Sequence, residues 1–280
     1  MLLYRITNGA VLLIEDNAYL LNEDWNKLIN QSGLHQHLES LAKNQKPIAN
    51  TQKQELIKNS LPPIGDQEVW ASGVTYLRSR DARMEESKNS GAADVYQKVY
   101  EAERPELFFK STSARVVGNG DEVFIRSDSA WNVPEPELTL FINSNGEIQG
   151  YTIGNDMSSR SIEGENPLYL PQAKVYEKSC SLGPCLFVPE KPISPNTTIS
   201  ITIRRNQQEV FNNSIQLDRM KRNLPELSAW LYKSLKFPVG CFLMTGTGIV
   251  PPNDFTLQAL DEVSIEIEGI GKLMNIVGVL

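Results

Sequence analysis

Histidine is nearly absent: the 280-residue chain carries only His35 and His37. Both fall on a stretch patterned as a helix near the N-terminus and read as ordinary residues of that helix. Any hydrolysis that needs an imidazole to activate water therefore has no candidate in the rest of the chain. Cysteine is almost as scarce. Cys180, Cys185 and Cys241 are too few and too scattered for a disulfide framework, lack zinc-site spacing, and read as small buried thiols of a cytoplasmic protein. No apolar run reaches membrane-spanning length, and Met1-Leu-Leu-Tyr-Arg-Ile6 shows no secretory pattern. A net charge of −7 without any basic run argues against a nucleic-acid surface. There is no Gly-x-Ser-x-Gly elbow and no phosphate loop, and Gly246-Thr247-Gly248 is too short for a dinucleotide fingerprint. Carboxylates, lysine and a metal are what remain for chemistry.

The pattern along the chain reads as α+β. Two short strands flank an Asn8-Gly9 turn, an amphipathic helix covers 25–41, and a second helix covers 52–60. Leu61-Pro62-Pro63-Ile64-Gly65 then marks a boundary, giving a small N-terminal α/β domain over 1–65 and a large mixed β-rich domain over 66–280. In the larger part, short β segments are expected at 69–74, 107–110, 123–126, 186–188, 199–205, 209–213, 242–245 and 261–267. Helices over 81–103 and 224–235 interrupt them. No repeat or low-complexity segment is visible.

The most informative stretch is 134–156. Leu138, Leu140 and Ile142 alternate with Glu137, Thr139 and Phe141, and Asn145-Gly146 is a strong hairpin-turn signal. A two-residue loop there places Asp156 across from Glu135 and Gly154 across from Glu137. Strand side chains alternate faces, so Glu135, Glu137 and Asp156 share one face, while Leu138, Leu140, Tyr151 and Ile153 take the other. Three carboxylates gathered together repel unless a cation sits among them, and hard ions such as Mg²⁺, Mn²⁺ or Ca²⁺ prefer carboxylate oxygen. The bland alternative is a hairpin with a solvated acidic face. Pro136, between the two glutamates, suggests an edge position.

Beside this candidate metal site stand two titratable residues. Lys174 follows in an irregular segment ending at Gly183-Pro184; next to a dication its pKa is lowered, and it acts as a base or stays charged and binds a carboxylate. Glu106, entering the apolar strand Leu107-Phe108-Phe109, is raised in pKa if half-buried and suits a general acid. Thr245-Gly246-Thr247-Gly248 reads either as an anion-binding loop or as a plain turn.

Together these segments resemble the fumarylacetoacetate hydrolase superfamily over roughly 68–280. The resemblance rests on Gly73-x-x-Tyr76, Arg104-Pro105-Glu106-Leu107-Phe108-Phe109-Lys110, Glu135-x-Glu137-Leu138, Asn155-Asp156-Met157-Ser158-Ser159-Arg160, Lys174 before Gly183-Pro184, and Thr245-Gly246-Thr247. It implies a β-sandwich roll, Glu135, Glu137 and Asp156 as Mg²⁺ ligands, Lys174 and Tyr76 against substrate, and Thr247 on the substrate carboxylate. It also implies a homodimer or homotetramer acting on small 2-oxo acids. Two departures narrow the reading. Where carbon–carbon hydrolases carry a histidine after Gly-x-x-Tyr, this chain has Leu77-Arg78-Ser79-Arg80-Asp81, and where they carry Gln after the ligand Asp it has Glu163. That run, with Arg126-Ser127-Asp128-Ser129-x-Trp131, resembles the branch that dehydrates 2-dehydro-3-deoxy-D-arabinonate, a 2-keto-3-deoxy sugar acid, to 2,5-dioxopentanoate.

Dehydration suits these residues because neither of its steps needs an activated water. Lys174 is expected as base or enolate clamp and Glu106 as proton relay to the leaving hydroxyl, with the opposite assignment open. Arg78 and Arg80 are expected to hold the polar tail or the carboxylate, since guanidinium forks suit both, and Glu163 is expected among the substrate-binding residues. The competing readings are an acylpyruvate-type hydrolase, an oxaloacetate decarboxylase, and a non-catalytic β-rich protein with a structural Ca²⁺.

Overall fold

The computed structural model describes residues 1–86 and 93–280. Three short strands open the chain, β1 (Leu2–Ile6), β2 (Gly9–Ile14) and β3 (Asn17–Leu21). Gly9 permits the first turn: its φ is +123°, and a Cβ there would lie 2.0 Å from the Leu21 carbonyl oxygen. The helix expected over 25–41 is two helices, α1 (Trp25–Ile29) and α2 (Leu34–Lys43). Gly33, with φ +65°, breaks the run before α2. Asp24 caps α1 by accepting the Lys27 N–H. After α3 (Asn50–Lys58) come β4 (Glu68–Gly73), α4 (Leu77–Glu86), α5 (Ala93–Glu101) and β5 (Glu106–Thr112). The helix expected over 81–103 thus begins earlier, and its 87–92 portion lies outside the described residues.

The middle of the chain holds β6 (Val116–Val117), β7 (Glu122–Ile125), β8 (Asn132–Val133), β9 (Pro136–Ile142), β10 (Ile148–Asp156) and β11 (Ser158–Ser159). Helices α6 (Arg160–Glu165) and α7 (Leu170–Lys174) and strand β12 (Cys180–Phe187) follow. Lys174 therefore ends a helix, and Gly183-Pro184 sits inside a strand rather than an irregular segment. Strands β13 (Thr198–Arg205) and β14 (Gln208–Gln216), helix α8 (Leu224–Tyr232), and strands β15 (Cys241–Met244), β16 (Glu262–Ile267) and β17 (Gly271–Val279) complete the order.

A ten-stranded mixed sheet runs β3-β2-β1-β12-β10-β9-β15-β4-β5, with β6 beside β12; a five-stranded sheet runs β14-β13-β16-β17-β7. Residues 1–65 contribute the edge strands β1–β3 of the larger sheet, which join it where Leu2 pairs with Phe187. The two sheets pack face to face: Leu138, Leu140, Ile153 and Leu243 of one meet Ile199, Ile201, Val263 and Leu273 of the other. On the far face of the larger sheet, Trp25, Leu28, Leu34 and Leu38 cover Ala71, Phe141, Phe242 and Met244. Truncating one such core leucine to alanine would cost about 2–5 kcal/mol. Strand β9 is buried on both faces along its whole length, so the solvated-hairpin alternative fails.

The hairpin register is as expected, though by another route. Asn143 and Glu147 close a three-residue turn, held by the Gly146 N–H donating to the Asn143 carbonyl at 3.0 Å. This offsets the pairing by one residue, and a bulge between Ile148 and Gly150 offsets it back. Gly154 ends opposite Glu137, and the Asp156 N–H donates to the Glu135 carbonyl at 3.0 Å. Pro136 does not mark an edge strand: β9 is central, between β10 and β15. Proline is tolerated because it is the first residue of β9, beyond the end of the β15 ladder at Thr139.

Candidate active site

One end of the larger sheet collects the chemistry. Strand β4 ends at Gly73, β5 starts at Glu106, β9 starts beside Glu135 and Glu137, β10 ends at Asp156, and β15 ends before Thr245. Oxygens of Glu135, Glu137 and Asp156 lie within 4.8 Å of one another, and all three residues are buried. Asp156 thus shares a face with both glutamates, as the alternation requires. An all-oxygen, carboxylate-only donor set of this size fits a hard divalent cation and is a poor match for softer metals.

Buried cations surround the three carboxylates. Lys174 Nζ donates to Glu135 at 2.6 Å and to Asp156 at 3.0 Å. Arg160 donates to the other Glu135 oxygen at 2.6 Å, and Lys110 pairs with Asp156 at 2.6 Å. Lys110 also donates to the Met157 carbonyl at 3.0 Å and to the Lys174 carbonyl, so one ammonium ties Asp156 to the end of α7. Burial opposes ionisation of Glu135, but Lys174 and Arg160 outweigh it and hold its pKa at about 2. Glu137 goes the other way: burial, reinforced by Asp156 and Glu135, raises it, although it accepts the Gly246 N–H at 2.6 Å. Burial disfavours the charged form of Lys174, yet Asp156 and Glu135 prevail and raise its pKa. The lowering expected beside a dication belongs to a different charge balance, in which those carboxylates are engaged by the ion.

Glu106 is half-buried with its Oε2 shielded from solvent, and its pKa is raised, with desolvation the leading cause and Arg83 opposing. Its carboxyl packs against bare backbone: a Cβ on Gly73 would sit 2.0 Å from Glu106 Oε2. Oε2 has no hydrogen-bond partner among the described residues. Tyr76 lies flat beneath Gly248, where a Cβ would meet its ring at 2.6 Å, and its buried hydroxyl likewise lacks a partner among the described residues. Thr247 Oγ1 closes a turn with Ile249, accepting its N–H at 3.1 Å and donating to its carbonyl at 3.2 Å. Gly246 requires its left-handed φ of +91°, and a Cβ there would strike Thr75 Oγ1.

The two expected arginines both pair with acids of their own helix. Arg78 is half-exposed and pairs with Glu85 at 3.5 Å; Arg80 pairs with its neighbour Asp81 at 2.6 Å and lies over Tyr100. It is Arg83, one turn further along α4, that is buried and ion-paired to Glu163. Glu163 also accepts from Ser158 at 3.1 Å and lies 3.9 Å from Arg160, so its carboxylate is held between two guanidinium groups. Arg160 and Lys110 stood in motifs already singled out, whereas nothing in the sequence separates Arg83 from its neighbours. His35 and His37 lie on α2.

The matching family description is "Fumarylacetoacetate (FAA) hydrolase C-terminal", over residues 69–278. A probable 2-keto-3-deoxyxylonate dehydratase of Haloferax volcanii is 47% identical over 219 residues, covering 78% of this chain and 74% of that one. The 2-dehydro-3-deoxy-D-arabinonate dehydratase of Saccharolobus solfataricus is 43% identical over 216 residues, covering 76% of this chain and 72% of the relative. A solved structure of 2-keto-3-deoxy-D-arabinonate dehydratase complexed with magnesium and 2,5-dioxopentanoate superposes with a TM-score of 0.84 at 34% identity, covering 100% of this chain and 99% of that one. No described helix is long and apolar enough to cross a membrane. With the acidic hairpin, the buried lysine and the sheet order all in place over the matched residues, the chain belongs to the fumarylacetoacetate hydrolase family.

Proposed function

We propose that this protein is a hydro-lyase that converts 2-dehydro-3-deoxy-D-arabinonate to 2,5-dioxopentanoate with Mg²⁺. The observation that carries the reading is Lys174 set against Glu135 and Asp156 of a three-carboxylate cluster, with Glu106, whose pKa desolvation raises, at the same end of the sheet, in a site without histidine. The two dehydratase relatives bear different sugar names. A 2-keto-3-deoxy pentonate, however, retains C4 as its one stereocentre, and arabinonate and xylonate of the D series share it. One compound answers to both names.

Glu135, Glu137 and Asp156 would hold the ion, with Mn²⁺ or Ca²⁺ as substitutes. When bound, such an ion would supply Lewis-acid stabilisation of the negative charge that a 2-oxo acid develops on losing a C3 proton, and its charge would weaken the hold of Lys174 on its proton. Lys174 Nζ would take the C3 proton and Glu106 would give its proton to the departing C4 hydroxyl, which leaves as water. The resulting 5-hydroxy-2-oxopent-3-enoate becomes 2,5-dioxopentanoate, by way of its enol, when one proton leaves C5 and one returns to C3, which restores both side chains. The raised pKa of Glu106 supports this order of roles over the reverse. Thr247 and Tyr76 line the substrate end, and Arg83, held by Glu163, supplies the guanidinium expected of Arg78 or Arg80. The site lies within 66–280, which we take as the catalytic domain, with 1–65 a small domain extending the sheet edge. Cytoplasmic residence is supported by three free, buried thiols. A homodimer or homotetramer, as the family resemblance implies, belongs to the same reading.

The test is direct. Supplied with 2-keto-3-deoxy-D-arabinonate and Mg²⁺, the protein should release 2,5-dioxopentanoate, identified by mass, and a chelator should stop it. Cleavage of acylpyruvates with no action on any 3-deoxy sugar acid would leave only the family assignment standing.

A further inference from the structure

Between Gly73 and Glu106 the chain leaves the sheet, forms α4 and α5, and returns. This excursion delivers Arg83 to the site, and a single tripeptide far along the chain holds both of its feet. At the outgoing foot, Met220 bridges Tyr76 and the Lys221 N–H donates to the Thr75 carbonyl at 2.9 Å. At the returning foot, Arg222 donates to the Glu103 carbonyl at 2.7 Å, to Val99 at 3.5 Å and to Ala102. Lys221 Nζ donates to the Tyr100 carbonyl and stands 4.4 Å from the Tyr100 ring centre.

The last carbonyls of a helix lack partners within it, and cations there also meet the negative end of its dipole. Helix α5 has no glycine at its end to fold those carbonyls inward: Glu101, Ala102, Glu103 and Arg104 follow one another. Two side chains from outside the excursion supply the donors instead. Arg222 is only 7% exposed and is itself fixed by Glu226 at 2.7 Å, so it is built into the wall. The consequence passes inward through Tyr96 of α5, whose buried ring lies under the Arg83 guanidinium at 5.6 Å. Arg83 in turn holds Glu163, and its charge reaches Glu106.

We propose that Met220–Arg222 is a clamp on the α4–α5 excursion and that Arg222, touching no substrate itself, is a positioning residue that sets Arg83 against Glu163 and Glu106. The catalytic part of this inference rests on the dehydratase reading. The structural part does not.

The test is a double-mutant cycle with exchange measurements on the full-length protein. Arg222→Met should speed amide exchange across 93–101 without substrate present and leave the Mg²⁺ titration midpoint unchanged within twofold, since the three carboxylates are untouched. It should lower kcat/KM for 2-keto-3-deoxy-D-arabinonate by up to about 100-fold, the scale of a small misplacement acting from a distance. Arg222→Lys should recover part of that loss. In an Arg83→Met background, Arg222→Met should cost no more than about twofold further, because the two act through one contact. Should Arg222→Met not fold, Lys221→Met, which removes one exposed donor, takes its place. Full additivity with Arg83→Met overturns the positioning role, and unchanged exchange over 93–101 overturns the clamp whatever the activity. If no sugar acid is dehydrated by the parent protein, the functional reading fails while exchange still decides the clamp.

Discussion

Glu106→Gln separates what the carboxyl does for stability from what it does for catalysis. The amide has nearly the same shape as a protonated carboxyl and cannot titrate. Desolvation raises the pKa of Glu106 above the ordinary 4.5, so the folded protein keeps a proton that the unfolded chain releases above that pH. The sign follows from linkage. Stability from a raised carboxyl is fully present below the unfolded pKa and is lost as pH rises through the folded one. Each pH unit over which the folded carboxyl keeps its proton costs the parent about 1.4 kcal/mol relative to the non-titrating variant. Denaturant melts in EDTA at pH 5, 6, 7 and 8 should therefore show the variant gaining on the parent as pH increases. Turnover should move oppositely, falling about 10²–10⁴-fold because the departing hydroxyl loses its proton donor. A stability difference that is flat with pH, or that reverses, means Glu106 is ionised in the folded protein and is not the acid.

Gly73→Ala touches no functional group, yet its Cβ would lie 2.0 Å from Glu106 Oε2 and push the carboxyl aside. Steady-state kinetics should show at least a tenfold fall in kcat with magnesium binding intact, and a normal rate would mean that the position of Glu106 is unimportant. Lys174→Met should reduce elimination by about 10²–10⁴-fold while magnesium still raises the melting temperature; retention of more than a tenth of the rate removes Lys174 from the mechanism. Replacing both His35 and His37 by Gln should leave turnover within a few-fold, and a loss of a thousandfold in folded protein would sink the histidine-free mechanism.

How much of this was legible depends on how local the information is. The acidic hairpin was readable because strand alternation and a turn signal sit within one short stretch. Even there, a three-residue turn and a bulge cancelled, so the register came out right for a reason the sequence does not display. Glu106 announced itself by entering an apolar strand. Strand β17 escaped because Gly271, Asn275 and Gly278 dilute an otherwise alternating run. Strand β3 escaped because it is short and follows a turn closely. Arg83 could not be found at all: Leu77–Glu86 carries arginines at 78, 80 and 83 among acidic residues and reads as a solvated face. Which of them turns inward is decided by Glu163 on α6, about eighty positions away.

Charge balance links the site's two halves and gives a last prediction. With an ion in place and Glu137 thereby ionised, the carboxylates of Glu135, Glu137, Asp156 and Glu163 face four cations, Lys110, Lys174, Arg160 and Arg83, all buried, and Glu106 counts as neutral, the form its raised pKa favours. A divalent ion together with a substrate carboxylate adds one net positive charge. Buried unpaired charge is expensive, so the site regains neutrality if Lys174 gives up its proton. Elimination then moves one proton onto Lys174 and one off Glu106, and the total charge is the same before and after. Such a site is poised by its count of fixed charges, which can be altered without replacing a metal ligand or a proton carrier. Arg160→Met removes one positive charge that is 2.6 Å from Glu135, so Lys174 should hold its proton to higher pH. The ascending limb of kcat/KM against pH should move upward in that variant and downward in Glu163→Gln, which removes a negative charge instead. If both limbs stay where the parent's lies, Lys174 is not the group whose deprotonation begins the reaction.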